Sequence, residues 1–218
     1  MTTRSTLAPH VIPWAGEVVL PERTILTPAG VFYADPRVDR GSRDDDQVLW
    51  LVCGGQQTGR RVFQVMHPAR QREAMRALRC VTCNEPGARN ADGMLWLLPL
   101  LAEGTGWEGV QTTVPPSCEP CADRVAERCP WMRDGYVRLR VRVAEQIGVR
   151  GTLYPRPGQP DPVRSDVLVR YDSPDARYVV ARYAVRELSE ATVEAIVTNP
   201  AGTACPYADA ALMKGISS

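Results

Sequence analysis

The sequence carries almost no net charge and no long apolar run. Its 218 residues have a formal net charge of +1, so no overall electrostatic attraction draws it to nucleic acid or to anionic membranes. No apolar segment approaches the ~20 residues that a membrane-spanning helix needs. Residues 1–10 also lack the apolar core of a signal peptide. These absences predict a cytoplasmic protein that does not associate with membranes.

Lysine is nearly absent as well. Of the 26 basic residues, only Lys214 is a lysine, and the other 25 are arginines. Arginine forms bidentate contacts with phosphate and carboxylate that lysine cannot form. A GC-rich genome explains the same bias more simply, so the abundance of arginine does not by itself indicate a nucleic-acid-binding protein.

The remaining composition is that of an ordinary globular protein, with 44% hydrophobic and 23% charged residues. Segments with strand patterns outnumber helical ones, which predicts an α+β fold: an antiparallel, β-rich protein with few short helices. We divide the chain into an irregular N-terminal arm with short strands (residues 1–46), a zinc-binding α+β core (47–150), a C-terminal antiparallel β segment packed on that core (151–200) and a tail (201–218).

Apolar periodicity and turn residues predict the individual elements. Two hairpins are expected, one from Val48–Cys53 and Arg61–Met66 and one from Asp166–Tyr171 and Tyr178–Val185. A third pair of strands is expected at Met94–Leu100 and Trp107–Val114, and Tyr136–Val143 alternates as a further strand. Helices are expected from Pro68 to Arg79, over Ala122–Arg128 and over Ser189–Ile196, where Ser189 is the predicted cap.

Four of the seven cysteines form two Cys-x-x-Cys pairs, Cys80–Cys83 and Cys118–Cys121. Cytosolic thiols stay reduced, so such pairs indicate a metal site rather than disulfides. Four thiolates close a tetrahedral zinc shell. The predicted order is a cysteine turn, a hairpin, and a second pair at the start of a helix. That order is typical of a treble clef and predicts structural zinc bound by these four residues.

Two zinc enzymes use related motifs. A deaminase uses His/Cys-x-Glu and then Pro-Cys-x-x-Cys, to which Cys83, Glu85, Cys118 and Cys121 correspond in part. Ser117 interrupts the second motif, and Cys83 follows the expected helix instead of opening one. An HNH-type nuclease needs a histidine in the hairpin, and residues 84–128 contain none.

Five arginines are candidate contacts for anions or nucleic acid. Arg138, Arg140 and Arg142 alternate along one predicted strand, and Arg70 and Arg76 lie on the predicted helix before the first cysteine pair. Arginines clustered on one face of a strand or helix are typical of surfaces that bind phosphate. They are also common on protein surfaces that contact only solvent, so both interpretations remain open.

Several short strings together resemble a group of uncharacterised actinobacterial proteins. They are His67-Pro-x-Arg70-Gln-Arg-x-Ala-Met75, Cys80-x-x-Cys83, Leu95-Trp-Leu-Leu98, Pro115-Pro-x-Cys118-x-Pro-Cys121-Ala and Cys129-Pro. The resemblance covers about residues 45–145. It implies a zinc-ribbon or treble-clef-like core and a cytosolic actinobacterial setting, and it implies no substrate.

The sequence therefore predicts a non-enzymatic, zinc-stabilised binding or regulatory protein that acts through protein or nucleic-acid contacts. The alternative is a zinc-dependent nucleoside or base deaminase that uses Cys83, Glu85, Cys118 and Cys121.

Overall fold

The computed structural model describes residues 9–100, 106–129, 132, 134–159 and 161–198. The predicted tail, residues 201–218, lies outside them. The strands are β1 (Glu17–Val19), β2 (Thr24–Thr27), β3 (Gly30–Tyr33), β4 (Leu49–Trp50), β5 (Cys53–Gly55), β6 (Arg89–Asn90), β7 (Gly93–Pro99), β8 (Val110–Thr112), β9 (Gly135–Leu153), β10 (Arg164–Arg170) and β11 (Val179–Thr198). The helices are α1 (Pro36–Gly41), α2 (Pro68–Arg76) and α3 (Glu119–Arg128). The α+β prediction is confirmed.

Two long antiparallel strands, β9 and β11, form the centre of the main sheet. They pair from Leu153 opposite Val179 to Gly135 opposite Thr198. Gly148 and Gly151 let the neighbouring strands approach β9 closely. A Cβ atom at these positions would lie 2.3 and 2.2 Å, respectively, from a carbonyl oxygen of a neighbouring strand. The predicted strand at Tyr136–Val143 is therefore only the first part of one longer continuous strand, β9.

The shorter strands flank this pair. β7 pairs with the first part of β9, and β10 pairs with its last part. β4 and β8 pair with β11, β4 in the parallel direction and β8 in the antiparallel direction. Strands from the predicted core and from the predicted C-terminal segment thus belong to one seven-stranded sheet.

Both predicted hairpins are wrong. β4 pairs with β11 and β5 pairs with β1, whereas Arg61 makes only an isolated bridge to Trp14. β10 and β11 do not pair with each other, because each of them pairs with β9. Adjacent strand-like segments satisfy the local rule for a hairpin, but the actual partners lie elsewhere in the chain: β11 for β4, β1 for β5, and β9 for both β10 and β11.

Two further element predictions need correction. Ser189–Ile196 is not a helix but the last part of β11, since Ala191 and Val193 pair with Val141 and Leu139 of β9. The return strand after β7 does form as β8, but it pairs with β11. The hairpin partner of β7 is the short strand β6 instead.

The predicted helix after Pro68 is confirmed as α2, although it ends at Arg76 instead of Arg79, and it packs on β11 through a buried polar side chain. Gln71 is fully buried, and its Nε2 donates to the carbonyl oxygens of Thr113 (2.7 Å) and Ala184 (3.0 Å). Its Oε1 accepts from the amide of Ala184 (2.9 Å). Met75, also fully buried, joins the apolar core beneath the helix. The segment after α2 is thereby fixed against the sheet.

In the described part of the chain, no helix combines the length and the apolar character needed to cross a membrane.

Candidate metal centre

The first cysteine pair lies in a tight turn after α2. The amide of Cys80 donates to the carbonyl of Glu85 (2.7 Å), and the amide of Asn84 donates to the carbonyl of Cys80 (3.0 Å). Asn84 has a φ of 63°, a left-handed conformation in which asparagine is enriched. The chain therefore reverses direction around Cys80 and Cys83. This turn brings both thiols next to those of the second cysteine pair.

The second cysteine pair lies at the N-terminus of α3. Cys118 is the N-cap residue, with an extended backbone (φ −89°, ψ 157°), and Pro120 occupies the first turn. Proline suits this position because its missing amide has no helical partner there. Cys121 follows one turn later, so the two thiols lie on the same side of the helix start. The helix dipole also favours negative charge at this end.

Backbone hydrogen bonds hold the two cysteine pairs together. The amide of Val81 donates to the carbonyl of Pro116 (2.9 Å), which joins the first turn to the segment before α3. Ser117 joins the same segment to the β6–β7 hairpin, because its amide donates to Leu95 and its carbonyl accepts from Ala88, both at 2.9 Å. The positions of the four cysteines thus depend on the hairpin that lies between them in sequence.

The four thiols form a compact cluster. All four Sγ atoms, of Cys80, Cys83, Cys118 and Cys121, lie within 4.8 Å of one another. The Cys83 and Cys118 Sγ atoms are 3.7 Å apart. Metal–sulfur bonds of about 2.3 Å in a tetrahedron place the sulfur atoms about 3.8 Å apart. The cluster therefore has the dimensions of a four-thiolate metal site, and the described residues contain no second group of three or more metal-ligating side chains at such spacing.

Electrostatics within the cluster favour a bound cation. Burial alone would raise the pKa of Cys80, but backbone N–H groups of Cys83, Cys118 and Thr82 outweigh it, and the pKa of Cys80 is lowered. Burial raises the pKa of Cys121 and Cys118, and their thiol neighbours oppose further ionisation of Cys121. Without a cation, one thiolate suppresses the ionisation of the others. A metal ion removes this repulsion because ligating thiols are deprotonated.

The environment of the cluster is asymmetric. Cys80 and Cys121 are buried, Cys118 is half-buried and Cys83 is exposed. The guanidinium Nη2 of Arg124 lies 3.5 Å from the Cys121 Sγ. A cation at this distance partly offsets the negative charge of four thiolates around a divalent ion. No motif in the sequence marks Arg124, although its position three residues after Cys121 on a helix is a usable signal.

Glu85, the catalytic residue of the deaminase alternative, is exposed. Its backbone carbonyl serves the cysteine turn by accepting from the Cys80 amide. Cys83 lies in that turn and not at the start of a helix. In a deaminase the corresponding cysteine and glutamate open a helix, so the local geometry departs from that pattern.

Arg138 and Arg140 of β9 bind carboxylates of α3 and β11. Arg138 forms ion pairs with Glu119 (2.7 Å), Asp123 (2.6 Å) and Glu194 (3.2 Å). Arg140, only 5% exposed, pairs with Glu119 and with Glu194. Because Glu119 directly follows Cys118, these pairs hold the start of α3 against the sheet. The sequence does not predict that these arginines bind α3. The i, i+4 spacing of Glu119 and Asp123, which places both carboxylates on one face of the helix, is the signal that could have indicated it.

The other three candidate anion contacts lie elsewhere. Arg70 binds the half-buried Glu17 through Nη1 (2.5 Å) and Nη2 (2.7 Å). Arg76 pairs with Glu73 on the exposed surface of α2 (2.9 Å). Arg142 is 59% exposed and lies 4.0 Å from Asp92. All five arginines therefore have a carboxylate within 4.0 Å, and an anion would compete with it.

No protein-family model, no curated protein and no solved structure matched the chain. The resemblance to actinobacterial proteins therefore stays a prediction.

Proposed function

We propose that this protein is a non-enzymatic binding or regulatory protein whose fold is stabilised by a structural zinc ion. The ligands are Cys80, Cys83, Cys118 and Cys121. The observation that carries the proposal is the gathering of these four thiols within 4.8 Å. A tetrahedral ion with four protein ligands has no position left for water or substrate.

Zinc is the metal that this donor set favours. Tetrahedral sites with four thiolates bind zinc or iron–sulfur centres. A cluster places several metal atoms between its thiolates and needs wider sulfur spacing than a single ion. The Cys83–Cys118 separation of 3.7 Å suits one ion. Zinc-bound protein is colourless, whereas iron–sulfur protein absorbs visible light, so a spectrum separates the two metals.

The surroundings support a treble-clef-like arrangement. The first cysteine pair lies in a turn, the β6–β7 hairpin follows, and the second pair opens α3. This is the order that the sequence predicts, although β6 takes the place of the expected return strand. In such an arrangement the metal joins a turn, a hairpin and a helix, which gives it a stabilising role.

A deaminase would need a metal-bound water within reach of Glu85. Cys80 lies in the same cluster as the other three thiols, so a fourth thiolate would take the coordination position that the water needs, and Glu85 is exposed. A binding role is therefore the better supported of the two. The paired arginines and the net charge of +1 favour a protein partner over nucleic acid.

Metal content tests the proposal. Protein purified under anaerobic conditions is expected to hold about one zinc ion per chain, since all four ligands bind one ion. Cys80→Ser is expected to lose most of the metal and to unfold at lower temperature, because structural zinc contributes directly to folding. Cys53→Ser is the matched control, since Cys53 lies outside the cluster.

Glu85→Gln separates the two functions. A structural site predicts that the variant keeps the zinc content and the thermal stability of the wild type. A deaminase predicts zinc-dependent hydrolytic deamination of a nucleobase, which Glu85→Gln abolishes. Wild-type protein that contains no zinc after anaerobic purification would contradict both proposals.

A further inference from the structure

A cavity of about 160 Å³ adjoins the metal centre. Most of its lining comes from the N-terminal segment, the residues before α2, the first cysteine turn, β7, the segment around β8, and α3. One residue from each of these is Ile12, Met66, Val81, Leu97, Trp107 and Val125. The sheet strands β9, β10 and β11 add Arg150, Leu168 and Val185. The walls therefore combine segments that are far apart in sequence and include both elements that carry the cysteines.

The cavity has no free charge among the described residues. Arg150 is the one charged side chain in its lining. The Arg150 guanidinium is already bound to Asp166, through Nε to Oδ1 (3.0 Å) and through Nη2 to the carbonyl oxygen (2.7 Å). Gln111, also in the lining, donates to Glu187 (3.1 Å). A charged ligand would lose its hydration here without gaining an oppositely charged partner, so the lining favours a neutral molecule.

Size and shape restrict the ligand further. Apolar cavities of roughly 150 Å³ in protein interiors hold a single aromatic ring such as benzene. Among the described residues, two aromatic side chains line this cavity, the half-buried Trp107 and Phe63, which is 41% exposed. Aromatic rings attract one another in offset or edge-to-face arrangements.

We propose that this cavity binds a neutral, apolar small molecule about the size of one aromatic ring, and that this ligand and the metal ion bind cooperatively. The cooperative part rests on the proposed zinc function. Val81 and Thr82 of the lining lie between Cys80 and Cys83, and Val125 lies one helical turn after Cys121. The metal fixes two walls of the cavity, so each ligand raises the affinity of the other by the same factor.

Fluorobenzene and 4-fluorobenzoate are matched probes, because they share the ring and differ in charge. In ¹⁹F NMR, the resonance of fluorobenzene is expected to broaden on addition of the zinc-bound protein, and the binding curve is expected to saturate. The benzoate is expected to bind at least about tenfold more weakly. Burying its carboxylate costs much more free energy than a tenfold difference in affinity represents.

Val114→Phe tests the location, because Val114 lines the cavity and is half-buried. The larger side chain is expected to weaken fluorobenzene binding about tenfold or more. Val143→Phe is the control, since Val143 is 43% exposed and lies outside the lining. If Val114→Phe does not fold, Leu168→Phe fills the cavity from another wall.

The outcomes separate the two parts of the proposal. The cavity assignment is overturned if fluorobenzene does not bind saturably at millimolar concentration, if both probes bind equally, or if the Val114→Phe and Val143→Phe variants behave alike. Zinc affinity, measured by competition with a chelating dye, is expected to rise severalfold in saturating fluorobenzene and not in the benzoate. An unchanged zinc affinity overturns the cooperativity alone. Protein that binds fluorobenzene but no zinc overturns the zinc function and leaves the cavity assignment standing.

Discussion

At the scale of single residues, Gln71 has three hydrogen bonds inside the core. They join α2 to the backbone of Thr113 and Ala184, and the side chain is fully buried. A buried backbone group that loses its partner destabilises the fold by more than an average hydrogen bond contributes. Gln71 therefore connects the helix before the first cysteine pair, the segment before the second pair, and β11.

Gln71→Leu is expected to lower the free energy of unfolding by about 3 kcal/mol, because three buried backbone groups lose their partners while the side-chain volume changes little. Urea denaturation measures the loss. Gln56→Leu is the control, because Gln56 is exposed, and its unfolding free energy is expected to stay within about 0.5 kcal/mol of wild type. A loss of less than 1 kcal/mol for Gln71→Leu would contradict this account.

Glu17 gives the fold a pH dependence. The Arg70 guanidinium and the amide of Trp14 hold the pKa of this carboxyl at about 2, below its ordinary value of 4.5, although burial opposes the shift. Because the folded-state pKa is lowered, the contribution of Glu17 to stability is complete above about pH 5. It is lost as the pH falls from there to about 2.

Glu17→Gln is therefore expected to be less stable than wild type at pH 7 and to approach wild type as the pH falls to 3. Urea midpoints at pH 7, 5 and 3 measure the difference. The exposed Glu85→Gln is expected to follow wild type throughout. A constant gap between Glu17→Gln and wild type at all three values would show that the carboxylate charge is not the cause.

At the scale of elements, α3 depends on the sheet beneath it. Its N-terminus carries two of the four cysteines, and Glu119 in its first turn binds Arg138 and Arg140 of β9. Glu194 of β11 binds the same two arginines. Three elements thus share one ion-pair network, in which Arg140 is buried and the carboxylates are partly exposed. The network holds the start of α3, and Cys118 with it, against the sheet.

Arg140→Met is expected to weaken zinc binding about tenfold, the usual lower range for residues that position metal ligands. Competition with a chelating dye measures the zinc affinity. Arg142→Met removes an exposed arginine from the same strand and is expected to leave the affinity unchanged. Equal affinities for the two variants would mean that the ion pairs do not position Cys118.

At the scale of the whole molecule, β9 and β11 join the two segments that the sequence analysis separated. They pair along their full lengths, so β9 has an unpaired edge if the C-terminal segment is removed. Val137, Leu139 and Val141 of β9 are fully buried beside β11. The boundary near residue 150 falls inside β9 (Gly135–Leu153).

A fragment of residues 1–150 is expected to be unfolded or aggregated, because it lacks β11 and exposes the edge and apolar face of β9. Far-ultraviolet circular dichroism and size-exclusion chromatography measure the outcome against residues 1–198. A monomeric, cooperatively folding 1–150 fragment that binds zinc would contradict this prediction and support an independent core.

The sequence by itself determined the local features. The spacing of Cys80, Cys83, Cys118 and Cys121 predicts their gathering, because two residues between cysteines bring both thiols to one turn. Pro68 predicts the start of α2, and the apolar run at Met94–Leu100 predicts β7. Each of these depends on neighbours within a few residues, where steric and hydrogen-bonding rules are strong.

Only the tertiary structure decided which strands pair and which arginines are free. The register of β9 against β7, β10 and β11 depends on contacts between residues up to 63 positions apart, as between Gly135 and Thr198, and local patterns do not specify such partners. Arg138 and Arg140 alternate like a solvated face, but α3 and Glu194 cover that face with carboxylates. The cavity beside the metal centre, likewise, exists only where segments that are far apart in the sequence meet.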